Sequence, residues 1–471
     1  MERLSGLDAS FLYAETPTQP LNVCSIVELD TSTMPGGYTF DRLRDGLELR
    51  IKAVPELRAK LADSWLNLDH PVWVEDSDFD VERHLKRVGL PAPGTRNELA
   101  AICSDIASQP LDRSKPLWEM WVVERSAGVA HHDGHLTVVT KAHHAAVDGV
   151  LAANLFARLF STEPDALPPD PVAGPGQAHQ LTIAADGLVN VATRPLRLPG
   201  LASMTATAIV RTLRRAQTGQ TMAAPFTAPK CRFNAPITAE RSCAFTQLTL
   251  ADVKAVKNCF GVTVNDVVLA LCAGALRRWL ADRGELPGRS LVAMVPVSVH
   301  GRSNRPGRNQ VSGMFCRLQT HLDDPVERLQ AIARADAIAK DHSAAIGVTL
   351  LQDWTQFASG PLFNAAKRLY PSTGLAGRPI HNLIVSNVPG PQDPLYFFGA
   401  QLKAIYPLGP IFHGCGLNIT VMSLDGTLNV GILACPPLVP DVWELADNFE
   451  VELAALRREL PASSGGGPDP G

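Results

Sequence analysis

Leu136-Thr-Val-Val-Thr-Lys-Ala-His143-His144-Ala-Ala-Val-Asp148-Gly149 is the stretch from which the fold is read. Its β-branched run predicts a strand that ends in two histidines and turns at Asp148-Gly149. Side chains alternate along a strand, so Leu136, Val138, Thr140, Ala142 and His144 share one face. His143 points the other way with Val139 and Lys141. His144 is therefore expected on the more buried, apolar side. A neutral imidazole in such a place suits general-base work, because burial holds its pKa down and excludes competing water. A satisfied core histidine has the same signature, and Asp148 also reads as the N-cap of a helix over 149–160. Spacing alone does not separate these readings.

Outward from this strand, residues 1–162 alternate between strand-like and helix-like segments. Strands are expected at 22–29, 117–124 and 135–144, and helices at 40–51 and 97–109. Between Glu163 and Gln180 five prolines and two glycines mark a linker. Helical patterning returns at 183–192 and 203–217, with a second proline-bearing stretch at 223–236. A domain crossover is placed at 163–240, between an N-terminal domain (1–162) and a C-terminal one (241–460), with a disordered tail at 461–471. The second half predicts strands at 243–248, 291–299, 382–387, 401–405, 418–423 and 428–434. Its helices are expected at 250–258, 265–282, 324–340 and 441–456. Asn265 is suited to cap the second of these. The mixture points to an α/β or α+β architecture.

Composition narrows the function classes. Of 471 residues 45% are apolar and 19% charged, which suffices for sizeable cores. Lys plus Arg number 43 against 47 Asp plus Glu, a net charge of −4, so no polyanion partner such as nucleic acid is indicated. Nine scattered cysteines without C-x-x-C fit reduced thiols in a cytoplasmic interior. No signal peptide or spanning apolar run is read. Other histidine and arginine clusters are weaker signals. Ala130-His-His-Asp-Gly-His135 reads as a hairpin turn rather than a metal site. Arg302, Arg305 and Arg308 read as a solvated loop. Arg211, Arg214 and Arg215 end an apolar helical stretch that suits either a lipid surface or interdomain packing. Cys415, two residues from His413, is a second arrangement resembling a nucleophile with its base, and equally a buried small hydrophobe. No G-x-S-x-G occurs, against a serine hydrolase.

His143-His144-x-x-x-Asp148-Gly149 resembles the signature of acyltransferases built like chloramphenicol acetyltransferase. Further stretches narrow the likeness to the bacterial wax ester synthase/diacylglycerol acyltransferase family. These are Leu4-Ser-Gly-Leu-Asp8-Ala-Ser-Phe-Leu12, Pro116-Leu-Trp118-Glu119, Asn265-Asp266, Asn309-Gln-Val-Ser-Gly313 and Ser386-Asn-Val-Pro-Gly390, in the family's order. One departure is Leu318-Gln-Thr320, where the family often has proline, which leaves the length of the adjacent strand open. The resemblance implies two sandwich-like domains with His144 between them. It makes His144 the proton acceptor, His143 its support and Asp148 structural, with Gly149 permitting the turn. Asn265 becomes a candidate oxyanion donor as well as a candidate cap, with Asp266 in the first helical turn. Pro116 and Trp118 pack and position. The implied reaction is transfer of a long-chain acyl group from acyl-CoA, as co-substrate and with no other cofactor or metal, to diacylglycerol. A fatty alcohol, another lipid or polyketide hydroxyl, and a non-catalytic role on lipid inclusions are the alternatives. Peripheral contact with a membrane or lipid droplet is expected for so insoluble an acceptor.

Overall fold

The strand His135–His143 pairs antiparallel with Asn22–Asp30 on one side and Trp118–Arg125 on the other. Leu85–Leu90 adds parallel to the latter. The computed structural model describes residues 1–125, 134–147, 158–298, 308–309, 311–346, 350–357 and 378–461. Asp148, Gly149, most of the helix expected at 149–160, residues 130–133, and Arg302 and Arg305 lie outside them.

Two more strands complete this first six-stranded sheet, and they come from the far half of the chain. Ala400–Leu408 pairs antiparallel with Asn22–Asp30, and Tyr396–Phe397 follows at the edge. A cut at 163–240 therefore does not separate the sheets, because the strand expected at 401–405 belongs to the N-terminal one. The second six-stranded sheet runs Val311–Arg317, Val292–Ser298, Leu383–Val388, Leu417–Leu424, Thr427–Ala434, Ser242–Thr249. Its three central strands are parallel and the rest antiparallel. Asp425-Gly426 closes the tight hairpin, both with positive φ (38° and 78°), as an Asp-Gly pair predicts. Val311–Arg317 stops before Gln319, which takes a left-handed φ of 52° while the buried Thr320 hydroxyl accepts from the Leu291 amide.

Helix Val264–Ala281 is buried nearly all round, against this sheet and the helix Val442–Arg458. Its cap is Thr263, not Asn265. The Thr263 hydroxyl accepts from the Asp266 amide and Asp266 returns to the Thr263 amide, a capping box that sequence periodicity placed two residues late. Arg328 and Glu452 form a buried ion pair at 2.7 Å that ties Pro325–Ile346 to Val442–Arg458.

The crossover segment folds as two helices, Gln180–Thr193 and Leu198–Gln217, joined by a 3-10 turn. The second touches the protein through Leu201, Thr205, Ala208, Thr212 and Arg215, a narrow stripe at helical spacing, and leaves Ile209, Val210 and Leu213 in solvent. It is thus not the buried interdomain packing helix that its apolar run suggested. Among the described residues no single helix is long and apolar enough to cross a membrane. One bent pair, Leu250–Phe260 with Val264–Ala281, passes on length and composition, but its second member is core.

The two sheets meet closely at Gly431. A Cβ there would sit 2.0 Å from the Pro407 carbonyl oxygen, on the strand that joins the first sheet. Backbone cannot yield as a flexible side chain can, so Gly431→Ala should cost about 1–3 kcal/mol or more. The measure is the urea midpoint of the purified variant, and an unchanged midpoint would contradict this approach of the two backbones.

Candidate active site

His143 closes the central strand and His144 begins the turn after it. Alternation holds: Val138, Thr140 and His144 all line a cavity of about 1150 Å³. Burial does not follow the sequence expectation. His143 is the fully buried member of the pair, at 0% exposure, and His144 is intermediate because its face opens on the cavity.

The hydrogen bonds of His143 fix its ring. Nδ1 accepts from the Ala145 amide at 3.0 Å, so the proton sits on Nε2, which lies 3.4 Å from Glu15 Oε1. Burial alone would raise the Glu15 carboxyl, but His143, Arg113 and the Leu21 amide hold it down at about 2. The main chain of His143 donates to the Leu117 carbonyl at 3.0 Å, which gives the Pro116–Trp118 element its place. Pro116 and Trp118 are buried, and Trp118 Nε1 donates to the Leu57 carbonyl at 2.7 Å. Neither lines the cavity.

His144 is held by three groups distant in sequence. Its amide donates to the Leu21 carbonyl at 2.8 Å. Its carbonyl accepts from Asn309 Nδ2 at 2.7 Å. Its ring stacks on Phe11, centroids 4.0 Å apart and 14° from parallel. Phe11 belongs to the helix Gly6–Ala14, whose Asp8 accepts from the Asn309 amide and side chain at 2.9 and 2.7 Å, and from the Arg308 amide at 3.1 Å. Asp8 was legible only as part of a resemblance, because a carboxylate inside an apolar run gives no spacing signal of its own. Burial raises its carboxyl, and the Ser5 and Asn309 hydrogen bonds oppose that rise. Arg308 is not a solvated loop residue. It is 8% exposed, with its guanidinium 4.2 Å from the Trp73 ring centroid.

The cavity lies between the sheets. Val23 and Ile405 face it from the first, Met294 and Ile384 from the second, and apolar side chains make most of its wall. Asn265 and Lys340 interrupt that wall. Asn265 Nδ2 donates to Asp336 at 3.2 Å, and its Oδ1 accepts from Asn387 at 3.4 Å. Lys340 reaches Asp336 at 2.6 Å. Burial raises the Asp336 carboxyl, with neighbouring Asp266 adding to the rise and Lys340 opposing it. Sequence reasoning missed Asp336, Lys340 and Asn387. The first two sit at i and i+4 on a long helix, indistinguishable there from an ordinary surface pair.

The second candidate pair does not assemble. Cys415 is buried, with its thiol pushed up to about 12 by that burial. His413 turns away from it, Nδ1 accepting from the Ile237 amide and Nε2 lying 3.3 Å from the Thr18 hydroxyl.

Comparison with known proteins agrees with this geometry. The model of the wax ester synthase/diacylglycerol acyltransferase catalytic domain matches residues 4–268, and that of the family's C-terminal domain matches 308–457. The chain is a member of this acyltransferase family. A Mycobacterium tuberculosis protein provisionally named as a diacylglycerol O-acyltransferase is 57% identical over 97% of this chain and 90% of its own. The wax ester synthase/diacylglycerol acyltransferase of Marinobacter aquaeolei VT8 superposes with a TM-score of 0.68 at 29% identity, covering 97% of this chain and 99% of that one. The starter condensation domain of rhizomide synthetase, at 14% identity and a TM-score of 0.55 over 98% of this chain and 95% of that one, shares the fold alone. The protein is thus an acyltransferase with the two-domain architecture of this family, acting on acyl-CoA and an acceptor alcohol.

The Glu15 contact has a measurable signature. Its folded pKa lies below its ordinary 4.5, so its stabilising effect is complete above that pH and is lost as pH falls toward about 2. Acid unfolding of the wild type should show this loss in that window. Glu15→Gln should flatten that part of the profile, and an identical profile would rule out the contact.

Proposed function

We propose that the protein transfers a long-chain acyl group from acyl-CoA to diacylglycerol, with His144 as general base. The observation that carries this reading is His144 in the wall of a large apolar cavity lined by both sheets. Its volume of about 1150 Å³ exceeds the ~300–1,000 Å³ of ordinary ligand pockets, which suits two lipid chains better than one small molecule. The 57% identical relative, named for the same reaction, supports diacylglycerol as acceptor.

In this mechanism the imidazole takes the hydroxyl proton as the acceptor oxygen attacks the thioester carbon. The resulting oxyanion is stabilised by donors already in place. Asn265 is the candidate, since one amide hydrogen holds Asp336 and the second is available for the substrate. Collapse expels the CoA thiolate, which receives the proton from the imidazolium. Ester and free thiol leave, and the base is restored. His143 positions His144 through the turn it anchors. The chemistry requires no metal and no covalent acyl-enzyme. A fatty alcohol is the second acceptor, favoured by the likeness to the Marinobacter enzyme. Either acceptor is scarcely soluble, so the protein works in peripheral contact with a membrane or lipid-droplet surface.

Purified protein given labelled palmitoyl-CoA and a panel of acceptors should form triacylglycerol with dioleoylglycerol. His144→Ala should lower that rate by about 10²–10⁴ without unfolding the chain, and a folded variant at near-normal rate would overturn the assignment. Direct transfer also predicts that acyl-CoA alone leaves the intact mass unchanged. A stoichiometric acyl adduct that is absent from Cys415→Ala would replace direct transfer by a cysteine route.

A further inference from the structure

The helices Gln180–Thr193 and Leu198–Gln217 bury Ile183 and Leu201 against the protein but leave most of their large apolar side chains in solvent. On the first, Leu181, Ala185, Leu188 and Ala192 form one stripe at helical spacing, and all face solvent, Leu181 at 75% exposure and Leu188 at 59%. Leu196 follows in the connecting turn at 80%. On the second, Ile209 and Leu213 continue the pattern at 54% and 61%, while the inward stripe holds smaller and more polar side chains such as Thr205, Ala208 and Thr212. Isolated exposed leucines are ordinary, but apolar side chains exposed in succession along both helices and the turn between them mark a surface that is covered in use.

Charge identifies what covers it. From Gly187 to Pro229 the sequence has five arginines and no acidic residue, in a chain whose net charge is −4. Arg194 and Arg215 are tied down to Asp69 and Asp341. Arg197 and Arg214 are exposed beside the apolar stripe, where a lipid phosphate would meet them. A protein partner would need matching carboxylates and a fitted shape, whereas an anionic bilayer offers both phosphate and hydrocarbon without either.

Position gives the surface a purpose. Thr205, on the second helix, lines the large cavity and accepts a 2.9 Å hydrogen bond from Trp354 Nε1. Trp354 lines the same cavity and is 43% exposed, so cavity wall and outer surface meet at this indole. Tryptophan favours such a boundary, with its ring in hydrocarbon and its N–H bonded. We infer that residues 180–217 form a docking arm that lies in the interface of an anionic membrane, and that the lipid acceptor enters the cavity past Thr205 and Trp354. This rests on the peripheral-contact reading above and adds the surface, the lipid charge and the point of entry.

The test is flotation of the full-length protein with phosphatidylcholine vesicles and with mixed phosphatidylcholine/phosphatidylglycerol vesicles. The wild type should bind the mixed vesicles more strongly and lose about tenfold of that advantage on raising salt from 0.1 M to 1 M. Leu188→Ser/Leu196→Ser/Leu213→Ser should weaken binding by about tenfold or more. Arg197→Gln/Arg214→Gln should remove the preference for the anionic lipid. Both variants should esterify a short water-soluble alcohol at the wild-type rate and lose activity on vesicle-borne diacylglycerol in proportion to binding. Wild-type protein that ignores all vesicles would overturn peripheral contact itself. Wild-type binding matched by both variants would overturn only this arm. A wild-type dimer that the leucine variant converts to monomer would assign the stripe to a second copy and overturn the membrane assignment.

Discussion

A carboxylate buried in an apolar neighbourhood must be surrounded by donors, and Asp8 meets that requirement with groups from both halves of the chain. Its oxygens accept from Ser5 within its own helix turn and from Arg308 and Asn309, three hundred residues on. Asn309 then hands the connection to the carbonyl of His144. The same helix supplies Phe11 beneath the His144 ring. The histidine is thereby fixed from below by stacking and from behind by hydrogen bonds. Neither constraint uses the imidazole's own polar edge.

The polar features of the cavity follow a common logic. Asn265, Lys340 and Asn387 in the mostly apolar wall are joined into one connected cluster, with Asp336 behind them. A cluster of this kind holds its members rigid, because moving one leaves another without a partner in a low-dielectric setting. In the proposed mechanism the Asn265 amide is thereby fixed before any substrate arrives, which is what stabilising a developing charge requires.

Most strands were legible in the sequence because their alternation is strong, and helix 40–51 was read to its last residue. The paired histidines and their opposite faces were legible for the same reason. What escaped was of three kinds. Short strands such as Ala59–Ala62 and Val72–Glu75 carry too few residues for a period to register. The cap at Thr263 was overlooked because Asn265 is the more familiar capping type, whereas the box geometry selected Thr263. The relative burial of His143 and His144 depended on a cavity between two sheets, and no local pattern reports a cavity. Asp8 and Asn309 lay inside recognised motifs, yet their mutual hydrogen bonds are a property of the folded chain alone.

Strand Ala400–Leu408 pairs its Gln401 with Asp30, and with Tyr396–Phe397 beyond it completes a sheet whose other four strands are early residues. During synthesis at about 5–20 residues per second, strand Asn22–Asp30 waits tens of seconds for this neighbour. Throughout that interval one row of its amides and carbonyls stays unpaired on an apolar strand, the kind of edge to which other chains add. A nascent chain in this condition is a natural client for a holding chaperone. A message truncated after the crossover would yield a half-protein with a permanently open sheet, prone to joining others of its kind.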